Sequence, residues 1–161
     1  MNRRIARWTW LVCVACASYA SAGGADPVQW QLAVSRTNAA AAHGSRVTAR
    51  VTATIASGWH VYALDQEKTG PTPTSITVPD GQPFVLDGEI QQPQPIMAWD
   101  QNFNHPARYF TDKVTFTVPL RATAQRRAGS ETVKVRVAYQ ICSDRLCLPP
   151  KAVDLSARVN R

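Results

Sequence analysis

Two cysteines, Cys142 and Cys147, are the side chains of this chain best placed to do chemistry. They lie in the stretch Tyr139-Gln140-Ile141-Cys142-Ser143-Asp144-Arg145-Leu146-Cys147-Leu148-Pro149-Pro150. Thiols at this spacing can close a disulfide, exchange it with another protein, or supply half of a metal site. Cys13 and Cys16 have a C-x-x-C spacing as well. They fall in an N-terminal apolar run that reads as a removable signal, and carry no redox expectation.

Strand parity is the first test of the pair. Val133, Val135, Val137, Tyr139 and Ile141 alternate with Lys134, Arg136, Ala138, Gln140 and Cys142. Successive side chains of a strand point to opposite faces. The apolar set is the core face, so parity predicts that Cys142 points away from the core. A connection of four residues suits a hairpin. Directly opposed residues of an antiparallel pair lie about 4.5–5.5 Å apart at Cα, inside the roughly 4.4–6.8 Å that a disulfide spans. Closing so short a loop contributes only about 2 kcal/mol in the chain-entropy model. The bridge is therefore a weak staple. Arg145 favours a thiolate nearby and Asp144 opposes it. Pro149 and Pro150 end strand pairing and fix Cys147 at an edge. On the residues alone two readings stand: a redox-active pair, or a structural bridge shaping a hairpin in an exported β-sandwich binding module.

Other chemistries fit poorly. A zinc site needs two more ligands, and the histidines are His43, His60 and His105. His43 lies in a polar turn. His60, between Trp59 and Val61, reads as facing outward. His105 sits in a long segment without strand pattern. A cupredoxin-type copper site needs a His and a Met soon after its Cys. The last His is His105 and the last Met is Met97. There is no G-x-S-x-G motif, and Asp65, Asp100, Asp112 and Asp144 read as turn formers. No cofactor and no metal are expected.

The elements around the pair set its compartment. Arg3, Arg4 and Arg7 precede a short apolar core at 8–17, and Ala20-Ser21-Ala22 has the small residues of a cleavage site. Residues 1–22 read as a cleaved secretory signal, leaving 23–161 as a single domain. The apolar run is shorter than the roughly 20 residues of a membrane span, and no comparable run follows. Cys13 occupies the position where a lipobox has Leu, which argues against lipoprotein anchoring. Export to the periplasm places the cysteines where disulfides persist. The formal charge is +7, and three of those positive charges belong to the signal. The remaining basic residues are scattered, so nucleic-acid binding is not expected.

The rest reads as all-β. Val28, Trp30, Leu32 and Val34 alternate with polar residues, as do Val47, Ala49, Val51, Ala53 and Ile55. Residues 59–64, 74–78 and 84–90 are further strand candidates. Val114, Phe116, Val118 and Leu120 form another, and Val153, Leu155, Ala157 and Val159 close the chain. Turn signals separate these runs at His43-Gly44-Ser45, Gly70-Pro71, Asp80-Gly81, Asp87-Gly88 and Gly129-Ser130. The pattern predicts an immunoglobulin-like antiparallel sandwich of about seven to nine strands. Residues 91–108 break the rhythm. They hold Pro93, Pro95 and Pro106 beside Ile96, Met97, Trp99 and Phe103. This reads as a long loop, either packed over one end of the sandwich or acting as a lid over a site.

The element Tyr139-Gln140-x-Cys142 with Cys147-x-Pro149-Pro150 resembles the N-terminal periplasmic domain of the thiol:disulfide interchange protein DsbD. Gly58-Trp59-His60-Val61-Tyr62 with the Gly70-Pro71 turn is similar too, as are 93–109 followed by 114–120. The resemblance covers roughly 28–159. It implies an immunoglobulin-like sandwich carrying a reactive pair on a hairpin, in a protein-disulfide reductase or thiol-disulfide oxidoreductase system. Cys147 would form the mixed disulfide and Cys142 would resolve it. A cap loop would shield the pair, with Asp100 as its acidic residue, Phe103 as its aromatic one, and Tyr62 beside the sulfurs. The implied partners are periplasmic thioredoxin-like proteins, including those of cytochrome c maturation, and disulfide isomerases. The chain ends after the sandwich, so electrons are expected from a separate membrane carrier.

Overall fold

Alternating valines, threonines and alanines favour pleated strands, because branched side chains pack well on a half-buried sheet. The computed structural model describes residues 26–36, 46–67, 69–123 and 132–159. The signal-like segment with Cys13 and Cys16, His43 and the Gly129-Ser130 turn lie outside the described residues. Among the described residues there are strands and no helix.

The strands are β1 (Val28–Arg36), β2 (Arg46–Ile55), β3 (Trp59–Tyr62), β4 (Ser75–Thr77), β5 (Phe84–Leu86), β6 (Ile96–Asp100), β7 (His105–Phe110), β8 (Lys113–Ala122), β9 (Thr132–Tyr139), β10 (Ile141–Ser143) and β11 (Lys151–Arg158). They form three antiparallel sheets, ordered β1-β2-β8-β5, β10-β3-β7-β6 and β11-β9-β4. One apolar cluster joins all three, with Val51 and Phe116 from the first sheet, Val61 and Phe110 from the second, and Val135 and Val137 from the third. Trp30 stacks on Phe116 and meets Tyr139 at a tilt, and Phe110 meets Phe116 edge to face. The first sheet therefore packs against the other two in a sandwich, and each buried Val, Leu or Phe contributes about 1.5–3 kcal/mol of apolar burial.

Two departures from the sequence reading position the site. The run from Val133 to Ile141 is not one strand. Gln140 interrupts it, and its side chain reaches Thr72 N–H and the Leu148 carbonyl. Before the break, Tyr139 pairs with Lys151; after it, Ile141 pairs with Val61. The chain thus changes sheets two residues before Cys142. Parity survives the change, since Tyr139 and Ile141 both remain in the main core.

The second departure is the 91–108 segment. It is not an irregular loop: β6 and β7 pair from Ile96↔Tyr109 to Asp100↔His105. The four residues 101–104 form the turn, and Asn104 takes a positive φ of 50°, a region that Asn tolerates better than most residues. The prolines that hid the strand pattern are compatible with it. Pro93 and Pro95 precede β6, an edge strand, where proline neighbours are tolerated. Pro106 lies where β7 pairs with β6, outside the two residues, Tyr109 and Phe110, that pair with β3. A tight turn sets β3 against β2. Trp59 N–H donates to Ala56 O, and Gly58 has φ 78°, a conformation a β-turn can demand and glycine supplies freely.

Candidate functional site

The second sheet has two faces. Val61, Phe110 and Ile141 face the main core. On the other face the register aligns Cys142 with His60, and Tyr62 with Tyr109. Tyr62, Ala107 and Cys142 form a separate buried cluster there, against which Phe103, Tyr109 and Cys147 pack. Parity thus removes Cys142 from the core, as the alternation requires. It does not expose it. Cys142 is 0% exposed, because the β6–β7 hairpin folds over that face. His60, expected to face solvent, is covered by the same hairpin and is only 7% exposed.

Cys142 and Cys147 are joined by a disulfide with Cα atoms 4.0 Å apart, and they face each other in an antiparallel bridge. The turn between them is closed by Ser143. Its N–H donates to Leu146 O at 2.8 Å, and its Oγ accepts from Leu146 N–H at 3.2 Å. Leu148 N–H returns to Ile141 O at 3.0 Å. Both cysteines are therefore held by a hydrogen-bonded hairpin. They differ in access. Cys142 is sealed, while Cys147 is half-buried beside the exposed Asp144, Arg145 and Leu146.

Asp100 organises the cap. It ends β6 and is 4% exposed. Its Oδ1 accepts N–H bonds from Asn102 at 2.8 Å and Phe103 at 3.3 Å, which shapes the hairpin turn. Its Oδ2 accepts the Tyr62 hydroxyl at 2.6 Å. The Phe103 ring then meets Tyr62 edge to face, with centroids 6.0 Å apart. At the tip, Asn102 Nδ2 donates to Ser143 O at 2.8 Å. The cap is thus tied at one point to the sheet under it and at another to the cysteine strand.

Burial and the Asp100 carboxylate push the Tyr62 phenol far above its ordinary range, so it stays protonated. His60 Nε2 lies 3.3 Å from the Tyr62 oxygen and 3.6 Å from Asp100 Oδ2. Burial lowers the His60 pKa, against the pull of Asp100 and Asp144, which raise it. The His60 ring also lies against Tyr109, with centroids 4.6 Å apart. Among the described residues, no group of three or more His, Cys, Asp and Glu side chains is arranged to hold a metal ion.

The residues singled out in the sequence, Cys142, Cys147, Asp100, Phe103 and Tyr62, all converge on this one cluster. His60 and Asn102 belong to it and were missed. The signal for His60 was available: it stands two residues from Tyr62 on one strand, hence on the same face. Asn102 had none, since its role depends on a contact 41 positions away.

A disulfide hairpin under a polar-aromatic cap, on the edge of an immunoglobulin-like sandwich, defines a class of thiol-disulfide exchange domain. The sequence model of the family described as "Thiol:disulfide interchange protein DsbD, N-terminal" matches residues 29–157, and the chain belongs to that family. Among solved structures, the fold is similar to the N-terminal periplasmic domain of ScsB from Proteus mirabilis, with a TM-score of 0.58 and 14% identity. That match covers 83% of this chain and 47% of the other, so the chain spans about half its length. The reduced DsbD N-terminal domain of Neisseria meningitidis aligns with a TM-score of 0.49 and 17% identity, over 70% of this chain and 78% of that one. No protein of curated function matches the chain.

Proposed function

We propose that this chain is a periplasmic thiol-disulfide relay module, cleaved after residue 22 and working as the domain 23–161, which passes reducing equivalents to or from thioredoxin-like partners through Cys142 and Cys147. The observation that carries the reading is the unequal access of the two bridged sulfurs. The Cys147 thiolate attacks a partner disulfide; a Cys147–partner bond forms, and the electron pair leaves on the partner's second sulfur. Cys142 then attacks Cys147, closes the internal bridge and releases the first partner sulfur as a thiolate. The partner gains two electrons and the cysteine pair loses them. An accessible Cys147 suits the first step, and a sealed Cys142 suits the second, because no outside disulfide can reach it.

Asp100, Phe103 and Tyr62 serve as the shield. They keep Cys147 from indiscriminate exchange until a partner displaces the cap. Family membership and the periplasmic location named for the ScsB domain support the compartment and the class of chemistry. The reduction potential of the pair tests the reading. A relay disulfide equilibrates with glutathione or thioredoxin buffers, whereas a value below about −300 mV marks a resistant structural bridge and contradicts it.

A further inference from the structure

We propose that His60 is the base that takes the proton from the Cys142 thiol when Cys142 resolves a mixed disulfide, an inference that rests on the exchange reading above. Cys142 is 0% exposed under the closed cap, and an acceptor on the paired strand stays beside it when a partner moves the cap aside. His60 is the residue directly opposite Cys142 across β3 and β10, and directly opposed side chains lie about 4.5–5.5 Å apart at Cβ.

The hydrogen bonds fix which ring nitrogen is free. The Tyr62 hydroxyl carries one proton and donates it to Asp100 Oδ2. Toward His60, its oxygen can only accept. The proton of the neutral imidazole therefore sits on Nε2, 3.3 Å from that oxygen, and Nδ1 is left bare as the basic atom. The ring is held for the purpose on two sides, by Tyr62 edge-on at 5.2 Å and by Tyr109 at 4.6 Å between centroids.

The other titratable groups around it are occupied or placed elsewhere. Asp100, from β6, spends Oδ1 on two backbone N–H groups and Oδ2 on Tyr62. Tyr62, from β3, keeps its proton. Tyr109, from β7, presents its ring to His60. Asp144, in the cysteine turn, is exposed. Burial keeps His60 neutral at neutral pH, which is the form a base requires. Asp100 lies 3.6 Å from Nε2 and stabilises the imidazolium once it forms.

The step balances. The Cys142 S–H proton moves to His60 Nδ1, and the Cys142 sulfur bonds to Cys147. The Cys147–partner bond breaks, and its electron pair leaves on the partner thiolate. In the opposite direction, imidazolium returns the proton to Cys142 as the internal disulfide opens.

Oxidised glutathione is the probe. Reduced full chain is mixed with it between pH 5 and 9, quenched in acid, and the glutathionylated intermediate is counted by mass. His60→Gln keeps an N–H donor for Tyr62 and removes the base. In this variant the intermediate accumulates, its resolution slows by about tenfold or more at pH 7, and the inflection in the imidazole range disappears. Resolution with an unchanged rate and pH profile overturns the proposal while leaving the exchange reading intact. No reaction in the wild type overturns both. Nitrogen-15 NMR of the wild type decides independently of how the variant folds. Neutral His60 as the Nε2–H tautomer supports the proposal, and the Nδ1–H tautomer overturns it.

Discussion

Asn102, at the tip of the β6–β7 hairpin, donates its side-chain amide to the backbone carbonyl of Ser143, one residue beyond Cys142, at 2.8 Å. The cap tip is therefore latched to the strand that carries Cys142, and lifting the tip from that strand breaks this bond. An exposed neutral hydrogen bond contributes only about 0.5–1.5 kcal/mol. A latch of that size is strong enough to favour the closed cap and weak enough for a docking partner to open.

Asn102→Ala is thus expected to speed alkylation of the reduced pair several-fold, up to about tenfold for 1.4 kcal/mol, with little loss of stability. Phe103→Ala, which removes the ring that meets Tyr62 edge to face and packs against the Tyr62–Ala107–Cys142 cluster, should do the same or more. Alkylation rates equal to wild type in both variants would remove the shielding role from the cap.

Asp100 and Tyr62 are expected to behave as one unit. Their 2.6 Å bond is charge-assisted and buried, a type worth about 1.5–3 kcal/mol. Asp100→Asn preserves shape but turns an acceptor toward the phenol into a donor. The double-mutant cycle with Tyr62→Phe, read by urea unfolding of the oxidised protein, should give a coupling of about 1 kcal/mol or more. Additive effects would mean the two side chains are independent.

Stability should fall at both ends of the pH range for nameable reasons. Burial holds His60 below 6.5, so the unfolded chain takes up a proton that the folded chain refuses. This contribution is present above 6.5 and is lost as pH falls through the lowered pKa. At the other end, burial first, and then Asp26, push the Tyr139 phenol up to about 12. The folded chain keeps a proton that the unfolded chain releases near 10.0, so stability is intact below 10 and declines toward 12. Tyr62, raised further, adds to the alkaline loss. Urea midpoints at pH 5, 7 and 9 check the acid limb. His60→Gln should flatten it, and an unchanged slope would mean that other groups carry it.

Much of the scaffold was legible because period-two alternation reports one buried face. Val47 to Ile55 and Val114 to Leu120 form the paired centre of the first sheet, and their alternating valines announce it. The hairpin β6–β7 was not legible. Apart from Phe110, its strands give no residue to the main core cluster, and Pro93, Pro95 and Pro106 mask the pattern. The break at Gln140 was hidden for a different reason. The change of sheet preserves parity, so Tyr139, Ile141 and Cys142 alternate as if one strand continued. Parity gave the correct side for Cys142 and the wrong exposure, because alternation says nothing about what covers a face. His60 was misplaced by the same omission.

The division of labour between the two cysteines is tested most directly by trapping. Cys142→Ala and Cys147→Ala variants are each reduced and mixed with an oxidised periplasmic thioredoxin-like protein, and the products are separated without reductant. Exchange led by the accessible Cys147 predicts a stable mixed disulfide with Cys142→Ala and none with Cys147→Ala. No adduct from Cys142→Ala, or equal adducts from both, would contradict it.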